Sequence, residues 1–198
     1  SVTPDDLEYP KPASTEGTRL AMYALVRLNA YEALAASLLD GNGQPVSRWW
    51  PVAYAFQRVA DPKAAPALLA LVQGEGAMTR AFAARGLGVI KEPRAIAPLV
   101  ALVGKADEMP AVRIQATRAL ATMGARAAID PLTKIVTAPG GDPNLRLEAL
   151  TALGQIGAPQ LTDLIVDLLT ERWPAMRAAA LGGLVRADAD LFVGAISG

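Results

Sequence analysis

The sequence predicts an all-α protein, an α-α superhelix stacked from antiparallel helix pairs and containing no sheet. Three observations carry this. A helix–turn–helix junction recurs along the chain, as Val59-Ala60-Asp61-Pro62-Lys63-Ala64-Ala65-Pro66, Gly88-Val89-Ile90-Lys91-Glu92-Pro93-Arg94-Ala95, Met123-Gly124-Ala125-Arg126-Ala127-Ala128-Ile129-Asp130-Pro131 and Ile156-Gly157-Ala158-Pro159. An arginine stands near the start of an apolar helix at Arg48, Arg80, Arg113, Arg146 and Arg177, at intervals of 32, 33, 33 and 31. Apolar residues follow the 3.6-residue period and never sustain an alternation of two. Self-similarity on this scale is the signature of a repeat array, in which each unit buries its apolar face only against its neighbours.

Taken in order, residues 1–14 hold three prolines and no helical pattern, and read as an extended leader. A first helix is expected from about Thr15 to Leu28, with Leu20, Tyr23, Ala24 and Leu28 at helical spacing. The array itself is expected over 15–198, as about five repeats cut at both ends, opening on a second-of-pair helix and closing on Asp190–Gly198 as a first-of-pair helix without a mate. Within each repeat a helix A precedes a helix B. The A helices are expected near 31–40, 62–73, 94–104, 127–137 and 159–170, and the B helices near 46–59, 77–90, 110–123, 143–156 and 174–186. Prolines fall in first turns, where a missing amide hydrogen costs nothing, and glycines fall in the breaks.

Composition bounds the function. The 198 residues are 52% hydrophobic and 19% charged, with 19 acids balanced by 19 bases. That is ample material for a core. Neither His nor Cys occurs, which removes the usual ligands of zinc, haem and iron–sulfur centres as well as thiol nucleophiles and disulfides. Zero net charge argues against a nucleic-acid partner, which selects a clustered basic surface. No apolar run approaches the roughly 20 residues of a membrane-spanning helix. The chain starts at Ser1 rather than Met, which together with the cut array reads as a segment of a longer protein.

Counting from each arginine separates two faces of the B helices. Three residues on stand Ala83, Ala116, Ala149 and Ala180, and seven on stand Leu87, Leu120, Leu153 and Leu184. These constant positions form the expected buried stripe. Offsets 2, 5 and 9 vary: Trp50, Ala53 and Gln57, then Phe82, Arg85 and Val89, then Gln115, Arg118 and Thr122, then Glu148, Thr151 and Gln155, and last Ala179, Gly182 and Arg186. Variation on a constant frame is how a solenoid presents a binding surface. Trp50, Phe82, Arg85, Gln115 and Arg118 are therefore the candidate partner-binding residues.

The units around Pro98-Leu99, the pairs Val112-Arg113 and Leu145-Arg146, and Ala152-Leu153-Gly154-Gln155-Ile156-Gly157 resemble the short HEAT-like repeats named after phycobilisome lyases. The resemblance covers roughly 15–198 and implies a right-handed solenoid whose B helices line the concave side, which would turn the variable stripe toward a groove. It implies a non-catalytic scaffold or protein–protein interaction module. The alternative it leaves open is the accessory array of a larger enzyme, of the cyclophilin-type prolyl isomerase or bilin-lyase kind, with the catalytic part outside this chain.

Each singled-out feature has a plainer reading. The arginine ladder (Arg48, Arg80, Arg113, Arg146, Arg177) reads as structural, because Glu75, Asp107, Glu108, Asp142 and Glu171 stand a few residues earlier and offer carboxylates to a planar guanidinium. A phosphate track is the competing reading, and the absent positive charge counts against it. Seven of the ten aromatics lie before residue 57. Trp49 reads as core, whereas Trp50 is open between core and an exposed anchor. Asp107-Glu108 and the glycine pairs Gly140-Gly141 and Gly182-Gly183 match no catalytic or phosphate-loop pattern. No enzyme activity, cofactor, metal, membrane or nucleic-acid role is expected, and the expected partner is a protein or peptide.

Overall fold

A computed structural model of the chain describes residues 15–158, 161–187 and 192–194. The expected leader, 1–14, the start of the last A helix at Pro159 and most of the closing segment 190–198 lie outside them. Eleven helices are named here: α1 (Thr15–Arg27), α2 (Tyr31–Leu38), α3 (Trp50–Val59), α4 (Ala65–Leu71), α5 (Ala77–Val89), α6 (Ile96–Gly104), α7 (Pro110–Thr122), α8 (Ile129–Thr137), α9 (Pro143–Ile156), α10 (Leu161–Leu169) and α11 (Pro174–Ala187). The described residues form no sheet, and an isolated antiparallel bridge joins Leu39 to Pro45. Among the described residues the fold is all-α, a succession of helix pairs.

The A and B helices stand near where the periodicity puts them, except that α3, expected from 46, begins at Trp50. Three A helices open with a single 3₁₀ turn, at Pro62–Ala64, Pro93–Ala95 and Arg126–Ala128. In two of these a carboxylate sets the turn: Asp61 accepts from the Lys63 amide and Glu92 from the Arg94 amide. Helix α2 stops at Leu38 rather than Asp40, because the Asp40 carboxylate accepts from the amides of Asn42 and Gln44 at 2.8 and 2.9 Å and turns the chain.

B-type helices end on a left-handed residue, at Asn29, Ala60, Lys91, Gly124 and Gly157, with φ between 51° and 71°. At four of these ends the next amide bonds back into the last turn: Ala30 to Leu25 (3.0 Å), Glu92 to Leu87 (3.1 Å), Ala125 to Leu120 (2.9 Å) and Ala158 to Leu153 (3.1 Å). Such a bond satisfies a carbonyl that the helix end would leave open.

This marker gives the true register. Counting back from it, the ladder position is held by Arg80, Arg113 and Arg146, but in α3 it is held by Trp49, not Arg48. Arg48 is exposed, and Trp49 is 5% exposed. The first repeat is one residue out of the expected phase. Val52 and Phe56 are its buried-stripe residues, 2% and 0% exposed, where the others use alanine and leucine. Ala53 and Gln57, expected on the presented stripe, are buried instead.

The chain divides into two compact units, Ser1–Pro98 and Leu99–Gly198. In the first, α3 packs on α5, α4 on α5, and α1 on both α2 and α3. Its fully buried side chains include Leu34, Phe56, Leu68, Leu71 and Leu87. In the second, α9 lies between α7 and α11, while α8 covers α9 and α10 covers α11. There the fully buried leucines include Leu99, Leu120, Leu132, Leu150, Leu153, Leu161 and Leu184.

Small residues set how closely B helices approach. A Cβ on Gly86 would stand 3.0–3.2 Å from the Leu68 methyls and the Cα of Gln57. In the second unit a Cβ on Gly154 would stand 2.9 Å from the Cα of Gly183. Both contacts join the position eight past the ladder site of one B helix to the position six past that of the next. The latter is Gly86, Ala119, Ala152 and Gly183, small every time.

Candidate partner-binding face

The ladder arginines act chiefly on carbonyls. In the second unit Arg113 Nε donates to Val103 O at 3.0 Å and Arg146 Nε to Val136 O at 3.1 Å, each near the C-terminal end of an A helix. Arg177 Nη1 donates to Glu171 O at 2.6 Å and Arg172 O at 3.2 Å. In the first unit Arg80 Nη1 donates to Gly74 O at 2.8 Å and to Glu75 O. For Arg113, Arg146 and Arg177 the expected pairing with the carboxylates before them thus gives way to the open carbonyls and negative dipole end that follow an A helix. Arg146 also reaches a carboxylate, Glu171 Oε1 at 2.9 Å, but in the loop after α10 rather than the one before α9. Arg48 contributes through its backbone: the buried Thr79 hydroxyl donates to its carbonyl at 2.8 Å.

Of the expected binding residues, Trp50, Phe82 and Arg85 belong to the first unit. Their aromatic rings meet. Trp50 and Phe82 lie 5.8 Å apart between ring centroids, Tyr54 and Phe82 5.4 Å at 80°, and Trp50 and Tyr54 6.4 Å. Tyr23 of α1 extends the row, edge-on to Tyr54 at 5.9 Å. These separations suit aromatic pairs. Trp50, Tyr54 and Phe82 are half-buried and Tyr23 is 37% exposed, so the row is packed from beneath and open above.

Basic residues flank the row. Arg27, Arg58 and Arg85 are all exposed, and none has an ion-pair partner among the described residues. Arg27 and Arg58 stand one helical turn past Tyr23 and Tyr54, and Arg85 three residues past Phe82, so each lies on the same helix face as its aromatic. Helices α3 and α5 carry no acidic residue. Sequence reasoning missed Tyr54 and Arg58 because the phase was set on Arg48; the left-handed residue Ala60 gives the phase that reveals them.

Gln115 and Arg118 belong to the second unit, on α7. Gln115 is half-buried. Arg118 clasps Glu148 of α9 with two donors, Nε to Oε2 at 2.9 Å and Nη2 to Oε1. That bond is the main cause raising the Arg118 pKa above its ordinary value, against a smaller opposing effect of burial. Beside the pair opens a shallow cleft of about 310 Å³ lined by Arg118, Thr122, Glu148, Thr151 and Gln155 with Ala121 and Ala152. Its polar lining is the variable stripe of two adjacent repeats. Two hydroxyls there are already engaged, Thr122 with Arg118 O and Thr151 with Leu147 O, both at 2.9 Å.

Residues 105–185 match HEAT repeats and residues 79–104 match the PBS lyase HEAT-like repeat. The chain belongs to the HEAT-like repeat family. No curated protein matches it. HEAT repeats commonly serve as helical scaffolds in protein interactions. Among the described residues no group of acidic side chains is placed to hold a metal ion, and no helix is long and apolar enough to cross a membrane.

Proposed function

We propose that this HEAT-like chain is a non-catalytic scaffold that binds a protein or peptide through the open face of its B helices. Trp50, Phe82 and Arg85 would form the principal contact, with Gln115 and Arg118 as polar contacts on the second unit. The observation that supports this is the half-open aromatic row beside guanidinium groups without acidic partners. Aromatic and arginine side chains are the usual anchors of protein interfaces, the rings because they bury much area at little entropic cost and arginine because its planar fork bonds and stacks. Arg118 takes a lesser part, since an incoming acid would have to compete with Glu148.

A peptide-display selection on the whole chain, followed by calorimetry on the selected peptides, tests the proposal. Trp50→Ala with Arg85→Ala is expected to weaken binding about tenfold or more, as removal of interface anchors does. Thr151→Ala with Gln155→Ala should leave the affinity within about threefold, as peripheral contacts do. Equal affinities for the native chain and the Trp50/Arg85 variant, both folded by circular dichroism, would place the binding surface elsewhere.

A further inference from the structure

We infer that the aromatic–arginine face of the first unit takes an acidic, proline-rich segment of another protein. The segment binds in the polyproline II conformation and carries a carboxylate at every third residue. The inference rests on the peptide-binding reading above and names the chemistry of its partner.

Charge decides the sign of the partner. Arg27, Arg58 and Arg85 are exposed and have no carboxylate partner among the described residues. The acids that follow α3 and α5 are already engaged. Asp61 accepts from the Lys63 amide at 2.8 Å, and Glu92 accepts from the amide and side chain of Arg94 at 2.8 to 3.0 Å. Helices α3 and α5 themselves carry no acid, so the face is cationic on a chain of zero net charge. Carboxylates pair with guanidinium forks. The rings call for proline. Trp50, Tyr54 and Phe82 stand 5.4 to 6.4 Å apart between centroids, packed from beneath and open above. Prolines pack their flat rings on such a surface, and the polyproline II conformation they favour is ordered before docking, so little entropy is lost.

Spacing decides the conformation. Arg27 and Arg58 each stand two residues before the left-handed end of their helix, at Asn29 and Ala60, while Tyr23 and Tyr54 stand six before it. The arginines therefore form a row across neighbouring helices. The rings form a second row one turn away, about 6 Å along the axis at about 1.5 Å per residue. Arg85, six before Lys91, ends the ring row on α5. Packed helices stand about 8–10 Å apart. A polyproline II helix repeats every three residues and rises about 3.1 Å for each, so one face presents a side chain about every 9 Å. That is the step from one B helix to the next. With carboxylates on that face above the arginine row, an adjacent face turns its prolines to the rings. A fully extended strand presents a side chain on one face about every 6.6 Å and falls out of step with the helices.

Calorimetry on the whole chain with two synthetic peptides tests this. One consists of four Glu-Pro-Pro repeats, and the other has the same composition with its glutamates in a single block. The periodic peptide should bind the native chain about fivefold or more tighter, because only it sets a carboxylate over each helix in turn. Arg27→Glu with Arg58→Glu should weaken its binding about tenfold or more, as loss of interface anchors does. Arg126→Glu with Lys134→Glu, at exposed cations of the second unit, changes the net charge equally and should leave the affinity within about threefold. Circular dichroism checks that both variants fold, and the comparison of peptides on the native chain stands without them. Equal affinity for the periodic and blocked peptides overturns the assigned conformation. Equal losses from the two reversals overturn the assignment to this face. Tighter binding of single-stranded oligothymidylate than of the periodic peptide overturns a peptide as the occupant. No binding of either peptide overturns the inference alone if the selection experiment still returns peptides that depend on Trp50 and Arg85.

Discussion

The two units share one repeat frame and present opposite surfaces on it. In the first, the position five past the ladder site is Tyr23, Tyr54 and Arg85, and nearby stand Trp50 and Phe82. In the second, the same position is Arg118, Thr151 and Gly182, and its arginine is already paired to Glu148. The helix ends differ too. The left-handed residues are Asn29, Ala60 and Lys91 in the first unit but Gly124 and Gly157 in the second. The first unit therefore keeps strained turns and, among the described residues, arginines without carboxylate partners beside open rings, whereas the second pairs Arg118 with Glu148 and turns on glycine. The frame specifies stacking, and what varies on it specifies contact.

If the frame is common, the core should respond alike in both units. Phe56, Leu120 and Leu153 all sit seven past the ladder site and are 0% exposed. Leu120→Ala and Leu153→Ala should each cost about 2–5 kcal/mol and Phe56→Ala about 3–5 kcal/mol, from lost transfer energy plus an unfilled cavity. Denaturant melts decide this. A loss below about 1 kcal/mol at the phenylalanine alone would show that the first unit does not use the frame in this way.

The close approach between B helices gives the next effect. At Gly154 an added Cβ meets backbone, the Cα of Gly183 at 2.9 Å, so the helices must part. At Gly183 the nearest atom to a new Cβ is a Leu161 methyl at 2.5 Å, the end of a side chain rather than backbone. Gly154→Ala should therefore cost about 1–3 kcal/mol from overpacking, after allowing about 1 kcal/mol returned by better helix propensity. Gly183→Ala should cost less. Thermal melts of the two variants side by side test the ordering, and a reversed order would mean that α9 and α11 do not touch through their backbones.

Much of this was legible in the sequence, and for identifiable reasons. The helices α5, α7 and α9 begin and end within a residue or two of expectation because proline opens two of them and a left-handed turn closes all three. The buried alanine and leucine stripe was legible because a packed core punishes change at fixed spacing. The phase of the first repeat was not, because Arg48 imitates the ladder residue while Trp49 occupies its place. The targets of the ladder arginines were not legible either, since open carbonyls at a helix end leave no trace in side-chain identity. The sequence does contain the clue to interhelical spacing, in Gly86-Leu87-Gly88, Ala119-Leu120-Ala121 and Ala152-Leu153-Gly154, small residues on both sides of the buried leucine.

Helix ends offer a sharper contrast between the units. Lys91 holds φ at 53° and Ala60 at 54°, a conformation that crowds a side chain against its own carbonyl. Lys91→Gly should stabilise by up to about 1 kcal/mol, the relief of strain being partly offset by the greater freedom of glycine in the unfolded chain. Gly124, at 63° with open space around it, should behave oppositely: Gly124→Ala should destabilise by about 1 kcal/mol from backbone strain alone. Urea midpoints moving in the same direction for both variants would remove the distinction between strained and relaxed turns.

The smallest effect separates the two faces by charge. Arg118 and Glu148 form a pair whose side chains are 54% and 24% exposed, so water screens much of their attraction. Their coupling, from a double-mutant cycle of Arg118→Ala and Glu148→Ala, should be about 0.2–1 kcal/mol, as for exposed pairs generally. It should fall toward zero in about 1 M salt, where screening acts over roughly 3 Å. Arg85 has no such partner among the described residues, and Arg85→Ala should leave stability within about 0.5 kcal/mol at either salt concentration. An arginine held for folding would show the coupling. One kept free for contact would show none, while its loss would appear only in binding. A salt-sensitive loss of stability at Arg85 equal to that at Arg118 would mean that both arginines serve the fold and that the first unit's face is no more available than the second's.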